Sequence, residues 1–359
     1  MGQRELWRSL TSFNTSFIAT PQECDKNSIP QVGGKAASLG ELWKAEAPIP
    51  PFFTITSTAY REFIKHNNLT PLITKLNNIS SDNLLKTATE LRNAILGGAF
   101  PQKLEEELKK AYKELASKWN SLAVRSSATM EDAPKASFAG QYESYLGIRG
   151  EREFLEAIKK CYASLYTDRA VTYRQKIDIS HDGIYMAVIT QSLVNAKSAG
   201  VMFTINPLNG DPSSIVIESS WGLGEAVVKG EVIPDKYTIN KVTKEVLELR
   251  RSRNKSIKYV MLDDGSVVKK DCTDEAAELS LSQEEAVKLA EIGVKLEKYF
   301  GTPQDIEWVA DNRLKTPNNI FIVQSRPVTT VTTVDKPSKQ TSLNTMDRII
   351  NTLLTGSKT

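Results

Sequence analysis

The chain changes texture at Tyr185, and this change limits the folds open to it more than any other feature. From there on, MAVITQSL, AGVMFTIN and SIVIESSWG are short strand-like runs separated by turn clusters. Before that point the long periodic segments are helical, notably Pro101–Trp119 and Arg152–Gln175. A boundary between two lobes near Ile184 follows, with residues 1–184 in the first and 185–330 in the second. Length agrees, since 359 residues are too many for one simple core.

Local signals fill in the lobes. Gly33 and Gly34 precede the periodic segment KAASLGELW, and Pro48, Pro50 and Pro51 end it. LAVRSS reads as a short buried strand running into a loop of small residues and turn formers, ATMEDAPKASFAGQ. Residues from Gln283 to Tyr299 make a helix on pattern, and DIEWVADN and NIFIVQSRP two strands joined by a polar loop. After Pro327 a polar linker leads to Met346, Ile349, Ile350, Leu353 and Leu354, spaced as a short amphipathic helix within a third segment, 331–359.

Composition excludes several classes. Hydrophobic residues at 40% and charged residues at 25% are ordinary for a soluble globular chain. The net charge of +3 is neutral on partners, and no basic run interleaved with aromatics marks a nucleic-acid surface. Cys24, Cys161 and Cys272 form no CxxC pair, which argues against a zinc site or disulfide framework and fits a reducing cytoplasm. No stretch is long and apolar enough to span a membrane, and the N-terminus fits neither a signal peptide nor, with Leu6 in place of Ser or Thr, a myristoylation site. No GxxxxGK[ST] loop occurs, and Gly222-Leu-Gly224 reads as a turn.

Three places carry chemistry. Arg125 follows an apolar run, where its planar fork suits phosphate, and the loop ending Phe138-Ala139-Gly140 offers backbone N–H groups. A solvated arginine beside an irregular loop explains the same residues. Gln324 and Arg326 lie two apart and share a face, opposite Glu307 on the preceding strand. A carboxylate and an amide oxygen suit Mg²⁺, with arginine beside them for phosphate; an edge salt bridge between Glu307 and Arg326 explains that spacing equally. Lys35 opens a helix against the macrodipole, which a bound anion would offset; an exposed lysine is the plain alternative.

Six strings, in order, resemble the nucleotide-binding domain of the phosphoenolpyruvate synthase, pyruvate phosphate dikinase and rifampicin phosphotransferase family. They are VGGKAASLGE, AVRSSATMEDAPKASFAGQYESYL, SLYTDRAVTYR, AGVMFTINP, ESSWGLGEAVVKGEVIPD and DIEWV with IFIVQSRP, spanning Val32 to Pro327. The resemblance implies an α+β ATP-grasp fold, its two lobes clamping ATP. It implies that Lys35 and Arg125 grip phosphates, that Gly140 belongs to a closing loop with Ser144 nearby, and that Gln191 lies on the adenine side. Glu307 and Gln324 would hold Mg²⁺, and Arg326 would meet the phosphates. Ser144 stands where relatives often carry Thr, and the loop VADNRLKTPNN is longer than usual.

Such a site catalyses mainly by positioning and charge neutralisation. In the family a histidine on a mobile domain attacks the β-phosphoryl group, AMP leaves, and the γ-phosphate is then lost from the pyrophosphohistidine. His66 and His181 do not sit in the Gly-rich Thr-Ser-His context of that nucleophile, and both read as surface histidines. The nucleophile is therefore expected on a partner polypeptide, unless the chain is an excised domain. The separate ATP-binding subunit of phenylphosphate synthase, with phenol as acceptor, is the preferred expectation, and a split phosphoenolpyruvate synthase acting on pyruvate the next. The C-terminal helix is expected to dock on the partner or to pack on its own lobe. A non-catalytic nucleotide sensor is the reading of another class, and the filled charged positions speak against it.

Overall fold

Apolar runs too short for helices form the centre of the first sheet. The computed structural model describes residues 16–79, 81–130, 132–133, 136–137, 143–272 and 275–328. Gly140 and the expected C-terminal helix lie outside the described residues. Strands β1 (Ile18–Ala19), β2 (Phe52–Ile55), β3 (Leu122–Ala128), β6 (Ser144–Ile148) and β7 (Met186–Ser192) pair antiparallel in the order β1-β2-β7-β3-β6. A small hairpin, β4 (Asp132–Ala133) with β5 (Ala136–Ser137), stands apart. Every residue of β2 and β7 is buried, which is why their sequences run apolar without alternation.

Helices cover this sheet: α1 (Ile29–Lys44), α2 (Ser57–His66), α3 (Thr70–Asn77), α4 (Ser81–Gly97), α5 (Gln102–Ala116), α6 (Gly150–Ser164) and α7 (Asp168–Lys176). In α5, Leu104, Leu108, Ala111, Tyr112 and Leu115 recur at helical spacing and are all buried; each leucine contributes about 1.5–3 kcal/mol by burial. α1 and α6 pack on β3 and β7. α1 is broken at Gly33, whose φ of 77° is left-handed and whose added Cβ would lie 2.1 Å from the Ser127 carbonyl oxygen. The Ser127 hydroxyl serves both sides of the break, accepting from the Ala36 N–H at 3.1 Å and donating to the Val32 carbonyl at 2.8 Å. Lys35 therefore stands in the first turn after the break.

His66 is exposed, but the structure corrects the reading of His181. It is buried, and its Nδ1 accepts from Nε of the buried Arg174 at 3.0 Å. Arg174 also donates to the Leu165 carbonyl at 2.6 Å. Burial, then the neighbouring guanidinium, pushes the His181 pKa down to about 4, so the ring is neutral and acts as an acceptor.

The second sheet joins β8 (Ala196–Phe203), β9 (Ser214–Trp221), β10 (Asp235–Asn240), β11 (Val246–Arg250), β14 (Gln304–Asp311) and β15 (Ile320–Pro327), antiparallel, in the order β11-β10-β9-β8-β14-β15. One-turn α8 (Glu225–Val228) follows β9, and β12 (Ile257–Met261) and β13 (Val267–Asp271) form a separate hairpin. Helix α9 (Gln283–Phe300) lies across β8, β9, β10 and β14. Ser282 and Glu285 form its capping box, and Gly301 ends it in the left-handed region. Beneath the hairpin, buried Asp235 takes the buried Lys255 ammonium and the Ser252 and Ser280 N–H groups. The chain changes sheets between Ser192 and Ala196 rather than near Ile184, because β7 pairs with β2 and β3. MAVITQSL thus belongs to the first sheet. The result is an α+β chain with two sheets and a cleft between them.

Candidate functional site

Alternation along the strands grades the cleft from apolar to polar. On β3, Ala123 and Arg125 share a face, as do Leu146 and Ser144 on β6. The cleft, about 580 Å³, falls within the roughly 300–1,000 Å³ usual for small-molecule pockets. One end is walled mainly by Ala123, Leu146, Leu193, Val194, Leu223, Tyr259, Val267 and Val309, with the Lys229 ammonium 4.8 Å from the centre of the Tyr259 ring, and the other by Arg125, Glu143, Ser144 and Glu225. The apolar walls belong to two small clusters outside the main core, one around Val194 and Val309, the other around Ala123 and Leu223.

At the polar end Arg125 reaches from the first sheet to the second. Its Nη2 donates to Glu307 Oε2 at 3.3 Å and to Gln324 Oε1 at 3.1 Å, and its Nη1 to the Val323 carbonyl at 3.0 Å. Glu307 pairs with Gln324 but the next residue, Trp308, pairs with Ile322, so Val323 is the extra residue of a bulge. That irregularity is where the Val323 carbonyl turns to Arg125. Two acceptor oxygens from different strands thus face one point, and the Arg125 guanidinium fills it.

Lys35 Nζ donates to the Ser126 carbonyl at 3.4 Å, one residue from Arg125. Ser144 lies opposite Arg125 in the β3–β6 register and lines the cleft. Gln191, opposite Ala123, also lines it and donates from Nε2 to the Pro50 carbonyl at 3.3 Å. Arg326 is opposite Asp305 rather than Glu307 and is ion-paired with it at 2.8 Å; like Lys35, Glu307 and Gln324 it does not itself line the cleft, and of the charged residues expected there only Arg125 does. The edge pair between Glu307 and Arg326 is accordingly not formed, and Glu307 pairs with Arg125 instead. Gly140 lies outside the described residues.

Sequence reasoning missed Glu225, Lys229 and Tyr259, which line the cleft from α8, the residue that follows it, and β12. The turn at Gly222-Leu-Gly224 is a turn, with Gly222 at φ 74°, but it also delivers Leu223 and Glu225 to the cleft. The quoted string ESSWGLGEAVVKGEVIPD held the signal. Burial raises the Glu225 carboxyl above its usual range; Arg125 lowers it less, and Glu307 adds to the rise. Among the described residues no three His, Cys, Asp or Glu side chains form a metal cluster, and no helix is long and apolar enough to cross a membrane.

Fold and site define a two-lobed α+β unit with a cleft that runs from a mainly apolar end to an end where Arg125 meets carboxylate and amide oxygens. Residues 29–347 match the family described as pyruvate phosphate dikinase, AMP/ATP-binding domain, and the chain belongs to that family. It is 38% identical over 332 residues to a probable phosphoenolpyruvate synthase of Methanocaldococcus jannaschii, covering 90% of this chain and 27% of that protein. It is 39% identical over 340 residues to the phosphoenolpyruvate synthase of Aeropyrum pernix, covering 86% and 42%. The chain therefore spans less than half the length of these relatives. A distant likeness to D-alanyl-alanine synthetase A of Vibrio cholerae, with a TM-score of 0.32 and 10% identity over 85% of this chain and 60% of that one, carries no argument.

Proposed function

We propose that the chain is the ATP-binding unit of a dikinase-type phosphotransferase, with adenine at the apolar end of the cleft and phosphates at the Arg125 end. The observation that carries this is the convergence of Arg125, Glu307 and Gln324 across the two sheets. Lys35 and Arg125 bind phosphate oxygens, Gln191 stands on the base side, and Ser144 and Gly140 belong to the phosphate side. Arg326, held at the end of β15 by Asp305, exchanges that partner for a phosphate oxygen.

Glu307 and Gln324 are the residues that would hold Mg²⁺. Both offer oxygen and both face one point, and a site of one carboxylate and one amide suits an ion that keeps waters and takes phosphate oxygens. When bound, the ion neutralises phosphate charge. The chain's own task is to orient the triphosphate and offset its charge while a histidine on a partner polypeptide attacks the β-phosphoryl group, releasing AMP. Water then takes the γ-phosphate from the pyrophosphohistidine, and the remaining phosphoryl group passes to a small acceptor.

The sequence alone pointed to phenol, with pyruvate second. The names of the relatives favour pyruvate, as in phosphoenolpyruvate synthase. The test is to incubate the chain with Mg-ATP and a histidine-domain polypeptide, following AMP against ADP with pyruvate, phenol or neither. AMP formed only with the partner supports the proposal, and the acceptor that sustains turnover names the reaction. ADP as the main product, or ATP binding without turnover, rejects it in favour of a simple kinase or a nucleotide sensor.

A further inference from the structure

The polar end of the cleft is already neutralised from within. The Glu307 side chain is 28% exposed and the Arg125 side chain 14%, so their charges meet largely out of water. One guanidinium nitrogen bridges Glu307 Oε2 and Gln324 Oε1, while the other amino group is held by the Val323 carbonyl. A guanidinium suits this place: it is weakly hydrated, and its planar fork reaches three acceptors at once. A divalent cation between the same two oxygens would have to share the position with a fixed positive charge.

We infer that Arg125 is the resident counter-cation of the Glu307–Gln324 pair, and that it bars a divalent cation until a nucleotide draws it off. This rests on reading the cleft as a metal–nucleotide site. Phosphate oxygens compete for the guanidinium, and once Arg125 turns to them the carboxylate and the amide oxygen are left facing an open position. Loading is thereby ordered: the nucleotide raises affinity for the cation, and by linkage the cation raises affinity for the nucleotide to the same degree. The bulge at Val323 is part of the device, since its carbonyl holds the guanidinium in the blocking position.

The test is Mn²⁺ binding to the whole chain without nucleotide, read from the electron paramagnetic resonance signal of free Mn²⁺. Arg125→Ala should bind Mn²⁺ about tenfold more tightly than the wild type, a typical size for such coupling. Adding Glu307→Gln should abolish the gain, and methylguanidinium should compete with Mn²⁺ in Arg125→Ala but not in the wild type. Arg125→Ala binding Mn²⁺ no more tightly than the wild type overturns the inference. If that variant loses its cooperative melting transition, Arg125→Lys takes its place: its ammonium cannot reach all three acceptors, so it too should bind more tightly, and unchanged binding overturns the inference. A fluorescent ATP analogue separates the two readings. Tighter Mn²⁺ binding in the variant, with no nucleotide binding by the wild type, would reject the ATP site while keeping Arg125 as counter-cation.

Discussion

The two ends of the cleft are closed by different physics. At the apolar end the β12–β13 hairpin is strapped across from the second sheet to the first: the Ser121 hydroxyl donates to the Gly265 carbonyl at 2.8 Å, and Arg149 pairs with Asp264 at 3.3 Å. The Leu223 N–H donates to the Tyr259 carbonyl at 2.9 Å, and just before β12 the strap is rooted in the buried Asp235–Lys255 network. At the other end Arg125, Glu307 and Gln324 meet through hydrogen bonds that, on the proposed function, a ligand's phosphates and cation replace. Packing and satisfied burial make the first end a fixed wall, whereas exchangeable charge makes the second a place for chemistry. The base is therefore expected to bind a preformed surface and the phosphates to rearrange one.

The contrast breaks most readily at the root of the strap. Lys255→Ala leaves Asp235 buried without its counter-charge and should cost about 3–5 kcal/mol in urea unfolding. A far smaller loss would mean that the wall is not held from there. In the first lobe the buried Arg174 charge is held beside a neutral His181. The folded His181 pKa of about 4 lies below the ordinary 6.5, so its contribution is complete above pH 6.5 and lost as pH falls toward 4. Over that interval the wild type should lose on the order of 3 kcal/mol more than His181→Gln. Equal pH profiles would show that the ring is not kept neutral.

The exchangeable end should respond in activity rather than stability. Arg326→Ala removes a half-exposed ion pair and should change stability by about 1 kcal/mol or less, yet lower partner-dependent AMP formation about 10²-fold. Retained turnover would remove Arg326 from the phosphate site. The smallest effect is expected from Ser121→Ala, which loses one hydrogen bond of the strap, worth about 1 kcal/mol, and should weaken adenosine binding slightly without altering the response to metal.

Much of this was legible in the sequence where one segment sufficed. The strands at LAVRSS, AGVMFTIN and SIVIESSWG, the helix from Gln283 and the terminal hairpin form where their patterns put them. Leu84, Ala88, Leu91 and Ile95 keep helical spacing in α4, yet α3 and α4 were not anticipated, because the polar sequence after Asn77 interrupts the apolar pattern. β11 to β13 lie at the edge or outside the sheets, and their half-exposed sequences carry little apolar signal. His181 misled because an isolated polar residue does not announce a buried arginine seven positions away. In the site, the resemblance placed Arg125, Glu307 and Gln324 individually. That Arg125 would bridge the other two, and that a bulge at Val323 would supply a third acceptor, depends on the register between strands far apart in sequence.

Calorimetric titration of Mg-ATP and of adenosine into the wild type and the double variant Glu307→Gln/Gln324→Ala tests the division of the cleft most directly. The wild type should bind Mg-ATP at least about tenfold more tightly than adenosine, an interval of 1.4 kcal/mol, and the double variant should lose that margin while its adenosine affinity stays the same. A margin that survives both substitutions, or adenosine affinity that falls with it, would contradict the assignment of the phosphates and the cation to the Arg125 end.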